Sequence, residues 1–416
     1  MSVRSRIAGL RGEGGETDRW LVLVTLLLLG AGLAMVLSAS SVIALEQHGS
    51  AYYYFVRQAL FAGVGLLAMA ATRQLDYHRL RDWAPAMAAG VAALMVLALL
   101  PGTGVEILGA RRWIDLGPLG TFQPSEAGKL TFCVFLARWV DRRQGRLHSF
   151  GNAFLPFAIM VAAILGLLLL QRDLGTAVVT CAILLSIYFA GGGRKRHAAV
   201  LLAALLAGFV LVTLLESYRQ ERLSSFLDPF RDPLGASYQP VQALIGLGSG
   251  GFLGVGLGHS VQKYLWLPEA HTDFIFAIVG EETGLVGTTL VLAGFVLLTI
   301  RGYRTATRAP DRFGVLVATG ITTWIGFQAL VNMATVTDTL PATGVPLPFI
   351  SYGGTALAIT LAAMGVLLNV AAHATEPAAA AGRRIDAAAD LGWRNGGAPL
   401  AGPRRRTRAA RRAPGG

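Results

Sequence analysis

The sequence predicts an all-α polytopic membrane protein with about ten transmembrane helices, and two observations support this class. Of the 416 residues, 54% are hydrophobic and only 14% are charged, whereas a soluble domain carries about 25% charged residues. Apolar runs of roughly 20 residues, each long enough to cross the hydrocarbon of a bilayer, recur along the chain. We therefore predict helices near 21–40, 55–72, 84–100, 122–139, 153–170, 174–190, 198–215, 274–300, 314–335 and 351–372.

The first predicted helix follows a polar segment, residues 1–20, that contains four arginines. Its apolar run is too long for the hydrophobic region of a signal peptide, and further spans follow it. We therefore interpret it as a signal anchor that stays as the first helix. The predicted membrane domain extends from 21 to 373.

Basic residues predict the orientation of the helices. Twenty-seven of the 36 lysines and arginines lie in the two termini and in alternate loops on one side of the membrane. This bias places both termini in the cytoplasm. It also explains most of the net charge of +12, so the basic clusters do not call for nucleic-acid binding. The Arg-, Ala- and Gly-rich segment 374–416 is predicted to be a disordered cytoplasmic tail.

The segments on the opposite, outer side are the long ones: 101–121, 336–350 and a large loop, 216–273, between the seventh and eighth helices. Loops of this length usually have a function, so we expect the substrate to bind at the outer face. The large loop contains GLGSGGFLGVGLGHS (246–260), which matches the spacing of a dinucleotide-binding fingerprint. That fingerprint needs a preceding strand. Here we predict instead that the glycines allow close backbone packing or tight turns against a lipid-linked ligand.

Ionisable residues gather where the eighth helix begins, in the stretch PEAHTDFIFAIVGEETG. A helix N-cap alone would account for Asp273, but not for the neighbouring Glu269 and His271. At the boundary between water and lipid, partial burial raises the pKa of a carboxyl group and makes it a better base. Glu281 and Glu282 lie inside the apolar run, where acids normally face a polar cavity or a cationic partner.

Other polar residues are candidates for the same site. Glu126 and Lys129 share one face of the fourth helix, and they either neutralise each other or line the cavity of Asp273. Arg111 and its neighbour Arg112 are ordinary loop arginines or ligands of a pyrophosphate. Ser351 follows a proline turn before the last helix. We predict substrate contacts from Arg111, Glu126, Lys129, His271 and Ser351.

Carboxylates and outer arginines suit the transfer of a sugar from a lipid pyrophosphate. A carboxylate would take the proton of an acceptor hydroxyl while arginine, lysine, or Mg²⁺ or another divalent cation neutralises the leaving group. Transport of a charged substrate fits these residues nearly as well. The chain has no P-loop and no helical metal motif such as H-E-x-x-H, and we expect no organic cofactor.

Five segments carry a family resemblance: FQPSEAGKL, QRDLGTA, SYQPVQALIGLGSGGFLGVGLGHS, LPEAHTDFIFAIVGEETG and PATGVPLPFISYGGT. Over about residues 20–373 the chain resembles the SEDS family (shape, elongation, division and sporulation), and its FtsW branch more than its RodA branch. Two positions depart from the family pattern: Arg172 stands where the family often has proline, and Gly128 stands in the fourth helix where alanine is more usual.

The resemblance implies a peptidoglycan glycosyltransferase that polymerises lipid II at the outer face of the bacterial cytoplasmic membrane, at the division septum. Undecaprenyl diphosphate would leave with inversion. Asp273 takes the place of the family's proposed general base, Glu126 and Lys129 that of its polar pair, and Arg111 that of a loop arginine. The implied partners are a class B penicillin-binding protein and other divisome proteins. A lipid II flippase, a RodA-like elongation polymerase and a non-catalytic scaffold are the alternatives.

Overall fold

The computed structural model describes residues 18–374 except 108, 118, 119, 216 and 236, and of residues 209, 211–213, 215, 217–219 and 221 it describes only the backbone. The polar start of the chain and the predicted basic tail therefore lie outside the described residues, apart from 18–20 and 374. Twelve α-helices run through the described part: α1 (Arg19–His48), α2 (Tyr53–Gln74), α3 (Tyr77–Leu99), α4 (Pro124–Asp141), α5 (Leu155–Leu170), α6 (Leu174–Ala190), α7 (Lys195–Leu215), α8 (Ser217–Leu227), α9 (Tyr238–Ser249), α10 (Ile275–Arg308), α11 (Arg312–Val336) and α12 (Gly354–Ala372).

Ten of these helices lie at the ten predicted positions, and the short α8 and α9 lie within the predicted large loop. Seven helical segments in the described part are long and apolar enough to cross a membrane: α1, α2, α3, α5 with the π-helical turn Phe150–Phe154 before it, α10, α11 and α12. Helix α6 is apolar but is not among these seven because it has only 17 residues. Helix α4 is not among them either, and it includes four charged residues. The polytopic all-α class is confirmed, and the number of ten spans stays a prediction.

Small residues bring the helices into close contact. Helix α2 packs against α12, where a Cβ atom on Gly365 would lie 2.3 Å from the carbonyl oxygen of Met69. Thr72 Oγ1 donates a hydrogen bond of 2.9 Å to the carbonyl of Ala362 across the same contact. Helix α11 is buried along most of its length and packs against α4, α6 and α10. Close packing through small side chains is the usual way in which helices associate in lipid.

A small antiparallel sheet covers the start of α4. Its strands are β1 (Gly104–Ile107), β2 (Ala110–Asp115) and β3 (Thr121–Phe122), in that spatial order, with Ile107 opposite Ala110. We predicted an outer loop here and a fourth helix that begins near residue 122. The loop instead contains the strands β1 and β2, and Phe122 belongs to β3. Helix α4 begins at Pro124, and proline suits the first turn of a helix.

The glycine-rich segment 246–260 packs against a break in α10 at Gly284, where φ is 66° and ψ is −162°. The amide of Val255 donates to the Glu281 carbonyl over 2.9 Å, and the amide of Leu285 donates to the Gly251 carbonyl over 2.9 Å. A Cβ atom on Gly254, whose φ is +82°, would lie 2.1 Å from the Glu282 carbonyl oxygen. The glycine-rich segment thus makes tight turns and packs closely against α10, while its packing against a lipid-linked ligand stays a prediction. Helix α9, not a strand, leads into the segment and includes its first four residues.

Candidate active site

Asp273 lies at the entrance to α10, and the structure does not use its side chain as a helix cap. The N-cap residue is Phe274, and no described residue donates a hydrogen bond to the Asp273 carboxylate. Its backbone carbonyl accepts a hydrogen bond of 2.7 Å from Asn332 Nδ2, which also donates to the Val345 carbonyl over 2.7 Å. Asn332 of α11 therefore fixes the Asp273 backbone beside the segment 341–348. The Asp273 carboxylate is partly buried and can accept hydrogen bonds from a ligand.

The surroundings of Asp273 make its carboxyl group a weaker acid. Its pKa is raised from 3.8 to about 6, chiefly by burial and then by the negative charge of Glu269. Arg112 and Arg222 lower this pKa, and Asp173 raises it slightly. Gly344 closes one side, because a Cβ atom there would lie 3.4 Å from Asp273 Oδ2. A carboxylate with this pKa is ionised at neutral pH and accepts a proton more readily than an ordinary aspartate does.

A second carboxylate, Asp173, joins three elements near Asp273. Its Oδ1 accepts from the Thr176 amide at the start of α6 over 3.1 Å. Its Oδ2 accepts from Gln123 Nε2 over 2.8 Å and from Ser125 Oγ over 3.1 Å, at the start of α4. Arg112 Nη1 lies 3.5 Å from Oδ1. Asp173 thus holds an arginine from β2 beside the starts of α4 and α6.

The two adjacent arginines of β2 point to different surroundings, because side chains alternate along a strand. Arg111 is exposed and pairs with Glu106 across the hairpin, with 2.9 Å between Nε and Oε2. Arg112 stacks on the Trp113 ring at 4.4 Å, and its buried Nε has no hydrogen-bond partner among the described residues. Of the two arginines of β2, Arg112 is the one whose charge acts on the pKa of Asp273. The predicted substrate contact of Arg111 stays a prediction.

Glu126 and Lys129 form a buried ion pair within α4, with 2.9 Å between Oε1 and Nζ. Lys129 Nζ also donates to Gln328 Oε1 over 2.8 Å and lies 5.0 Å from the centre of the Trp324 ring. Gln328 Nε2 in turn donates to the Pro346 carbonyl over 2.8 Å. The pair neutralises itself, as one interpretation expected, and it is connected through α11 to the segment beside Asp273. Its predicted contact with substrate stays a prediction.

His271 packs among aromatic rings, and Ser351 lies in the turn before α12. The buried His271 ring lies 4.9 Å from that of Tyr54 and 5.6 Å from that of Tyr352, measured between centroids. Burial lowers the pKa of His271, so the ring is neutral at pH 7. Ser351 Oγ accepts from the Leu347 amide over 2.7 Å and so closes the turn before α12. The predicted substrate contacts of His271 and Ser351 stay predictions.

The acids inside α10 bind the last residue of the glycine-rich segment and the residues just after it. Glu282 pairs with Lys263, with 3.5 Å between Oε1 and Nζ, and accepts a hydrogen bond from Ser38 Oγ. Glu281 accepts from the Val261 amide over 2.8 Å and from Ser260 Oγ. The expected polar and cationic partners of these acids are therefore present.

Arg172 adopts a left-handed backbone conformation with φ of 56°. Proline cannot adopt a positive φ, so the turn between α5 and α6 differs from the one that a proline at this position would form. Arg172 Nη1 donates to the Gly109 carbonyl over 3.2 Å. This contact fastens the turn of the β1–β2 hairpin to the end of α5.

Within the described residues no three His, Cys, Asp or Glu side chains gather as a metal-ligand set. Mg²⁺ often binds through one or two carboxylates together with phosphates of the substrate. A divalent cation at this site would therefore depend on the pyrophosphate for most of its ligands. The predicted cation stays a prediction.

Comparison with known proteins identifies the family. The family model described as Cell cycle protein, which covers FtsW, RodA and SpoVE, matches residues 19–376. The chain belongs to this family. The SEDS resemblance stated from the five segments is thereby confirmed.

Two relatives of this SEDS chain extend over almost its whole membrane domain. Stage V sporulation protein E of Bacillus subtilis is 42% identical over 356 residues, which are 86% of this chain and 97% of the relative. The protein named Probable peptidoglycan glycosyltransferase FtsW of Geobacter sp. (strain M18) is 39% identical over 353 residues, which are 85% of this chain and 96% of the relative.

Two solved structures share the fold. A chain in the structure described as "Structural coordination of polymerization and crosslinking by a peptidoglycan synthase complex" has a TM-score of 0.70 and 31% identity, covering 85% of this chain and 97% of its own length. The rod shape determining protein RodA of Thermus thermophilus has a TM-score of 0.64 and 29% identity, covering 87% of this chain and 98% of its own.

Proposed function

We propose that this SEDS protein polymerises lipid II at the outer face of the cytoplasmic membrane, with Asp273 as the general base. The enzyme class is peptidoglycan glycosyltransferase, as named for relatives about 40% identical over most of the chain. The observation that carries the role of Asp273 is its raised pKa of about 6 in a carboxylate to which no described residue donates a hydrogen bond. A structural carboxylate would normally be paired, as Asp173 is.

In the proposed reaction, the acceptor hydroxyl of one sugar attacks the anomeric carbon of the other. The hydroxyl proton passes to Asp273, a new C–O bond forms, and the bond from the anomeric carbon to the pyrophosphate oxygen breaks. Attack from the face opposite the leaving group inverts the anomeric centre. Undecaprenyl diphosphate then leaves with the bonding electrons, and Asp273 returns its proton to water before the next cycle.

Arg112 is the group that we propose for the leaving pyrophosphate. Its Nε is a buried donor without a partner in the described part of the chain, and its charge acts on Asp273. Stacking on Trp113 and the ion pair with Asp173 hold the guanidinium in place before substrate binds. A preorganised cation stabilises the charge that develops on the pyrophosphate as the bond breaks.

The proposed partner is a class B penicillin-binding protein that crosslinks the new strand. A structural relative of this chain belongs to a peptidoglycan synthase complex, which supports a shared assembly. Relatives named FtsW support a role in division, so we propose the septum, other divisome proteins as neighbours, and cytoplasmic termini. A RodA-like role would instead distribute the protein along the side wall.

The test is glycan synthesis from purified lipid II by the full chain with its partner. We expect Asp273→Asn to reduce polymer formation about 10²- to 10⁴-fold, the usual contribution of a general base, with unchanged elution in size-exclusion chromatography. Glu269→Gln is the matched control, because it removes a nearby charge and leaves the base in place. Normal polymerisation by Asp273→Asn would refute the proposal, and vesicle transport of lipid II that persists in this variant would favour the flippase.

A further inference from the structure

A cavity of about 770 Å³ lies at the other end of α4 from the Asp273 site. The start of α4 lies beside Asp173, and the cavity follows the end of the helix at Asp141, roughly 27 Å away at 1.5 Å per residue. The proposed polymerase reaction makes no use of it. Its lining consists of Arg142, Arg143, Gly145, Arg146, Ser149 and Asn152.

The charge of this cavity is strongly positive. Three guanidinium groups come from five consecutive positions, and no carboxylate is among the described residues that line it. The neighbouring Asp141 is already paired with Arg81, with 3.3 Å between Oδ2 and Nη2. Arg143 is held by stacking on Trp139 at 3.9 Å. The bias of basic residues to one side of the membrane explains why arginines are here, but not why three of them surround a cavity.

The helix that follows adds to the attraction for an anion. The turn Phe150–Phe154 continues into α5, and Ser149 is its N-cap, with Oγ accepting from the Asn152 amide over 3.4 Å. The amides at the start of a long helix carry a partial positive charge. Ser149 and Asn152 therefore bring this helix start and two polar side chains into the same cavity as the arginines.

An exposed apolar surface begins directly beside the cavity. Asn152, Leu155 and Ile159 are spaced so that they share one face of the helix. Leu155 is 46% exposed and Ile159 is 60% exposed, and Phe150 at the edge is 58% exposed. A ligand that used all of these features would have an anionic head and an apolar tail.

We propose that this cavity binds the phosphate headgroup of an anionic phospholipid whose acyl chains lie along the exposed face of α5. Basic pockets at the ends of transmembrane helices recognise such headgroups, and paired guanidinium groups suit phosphate oxygens. Inorganic phosphate would use the arginines and leave the apolar face unoccupied. The C-terminal segment of the same chain is an unsuitable occupant, because nine arginines follow residue 380.

The test measures how much phosphatidylglycerol the full chain retains after extraction from phosphatidylcholine vesicles that contain it as the minor lipid, by native mass spectrometry. Arg142→Gln combined with Arg146→Gln removes two cavity charges and spares Arg143, which packs on Trp139. We expect roughly tenfold less retained phosphatidylglycerol, because each arginine near anionic lipid contributes about fivefold and exposure reduces this. The exposed pair Arg194→Gln and Arg196→Gln is the control of equal charge and should retain as much as the unchanged chain.

Each outcome decides the proposal. Equal losses in both double variants would show a diffuse effect of charge and would overturn it, as would equal retention by the cavity variant and the unchanged chain. Displacement of phosphatidylglycerol by inorganic phosphate in excess would reassign the cavity to a free anion. If the double variant fails to fold, the exposed Arg146→Gln alone gives the same comparison with a loss of about threefold.

Discussion

Arg111 and Arg112 are neighbours on β2, but their side chains lie in different surroundings. Arg112 turns inward, where its guanidinium lies between Trp113 and Asp173 and acts on Asp273. Arg111 turns outward to an exposed ion pair with Glu106, and such pairs contribute little to stability. The sequence contains both residues, but their different surroundings depend on the strand that places them.

We expect Arg112→Gln to lower the kcat of polymerisation by about 10²- to 10³-fold, the effect of losing one preorganised group that stabilises transition-state charge. Arg111→Gln should stay within about twofold of the unchanged chain, because an exposed pair is worth little. Initial rates of glycan formation from lipid II measure both. Equal effects of the two substitutions would contradict the assignment of Arg112 to the pyrophosphate.

Polar groups of α10 form hydrogen bonds and an ion pair with the large loop. The break in α10 at Gly284 exposes backbone groups that the glycine-rich segment satisfies. Glu281 and Glu282 add side-chain contacts to the residues that directly follow this segment, Val261 and Lys263. Unsatisfied backbone groups are costly in lipid, so a broken helix needs such a partner. These acids therefore fold the large loop against α10.

Gly254→Ala should destabilise the protein, because its Cβ atom would lie 2.1 Å from a backbone oxygen at a φ of +82°. Gly248 is the matched control: it lies in helix α9, and an added Cβ would meet no atom within 4 Å. Gly248→Ala should be neutral or stabilising by up to about 1 kcal/mol. Thermal unfolding in detergent compares the two. An unfolding temperature for Gly254→Ala equal to that for Gly248→Ala would refute the packing argument.

The buried ion pair of Glu126 and Lys129 in α4 gives a second prediction about stability. Lys129→Met alone should destabilise the protein by about 3–5 kcal/mol, because it leaves the Glu126 carboxylate buried without its cation. Glu126→Leu combined with Lys129→Met should recover most of that stability. Chemical denaturation measures both variants. If the double variant folds and polymerises lipid II at the normal rate, the predicted substrate contacts of Glu126 and Lys129 are wrong.

Over the whole molecule, the helices were the predictable part, because an apolar run of membrane length is a local signal that needs no partner. The hairpin of β1 and β2 was missed because its strands are short and lie in a segment read as an outer loop. We predicted polar or cationic partners for Glu281 and Glu282. The sequence could not identify Lys263 and Ser38 as these partners, because they come from other elements. Asp273 was proposed from its position and its acidic neighbours, and its catalytic role stays a prediction.

The same limit applies to the rest of the site. Asp173, Gln123 and Ser125 meet only because α4 and α6 begin side by side, and nothing in their sequence spacing indicates it. Asn332 fixes Asp273 from a helix 59 positions later in the chain. The two arginines at 111 and 112 were noted together, and only strand alternation, which was not predicted, could have chosen between them.

The dependence of kcat/KM on pH tests the central claim most directly. A base works only when ionised, so the rate of lipid II polymerisation should fall as the pH drops through about 6, the pKa of Asp273, and should level off above it. Glu269→Gln removes a negative charge that raises this pKa, so its profile should keep the same shape with the midpoint at lower pH. A profile without a midpoint near 6, or a midpoint that Glu269→Gln leaves in place, would contradict the assignment of Asp273 as the base.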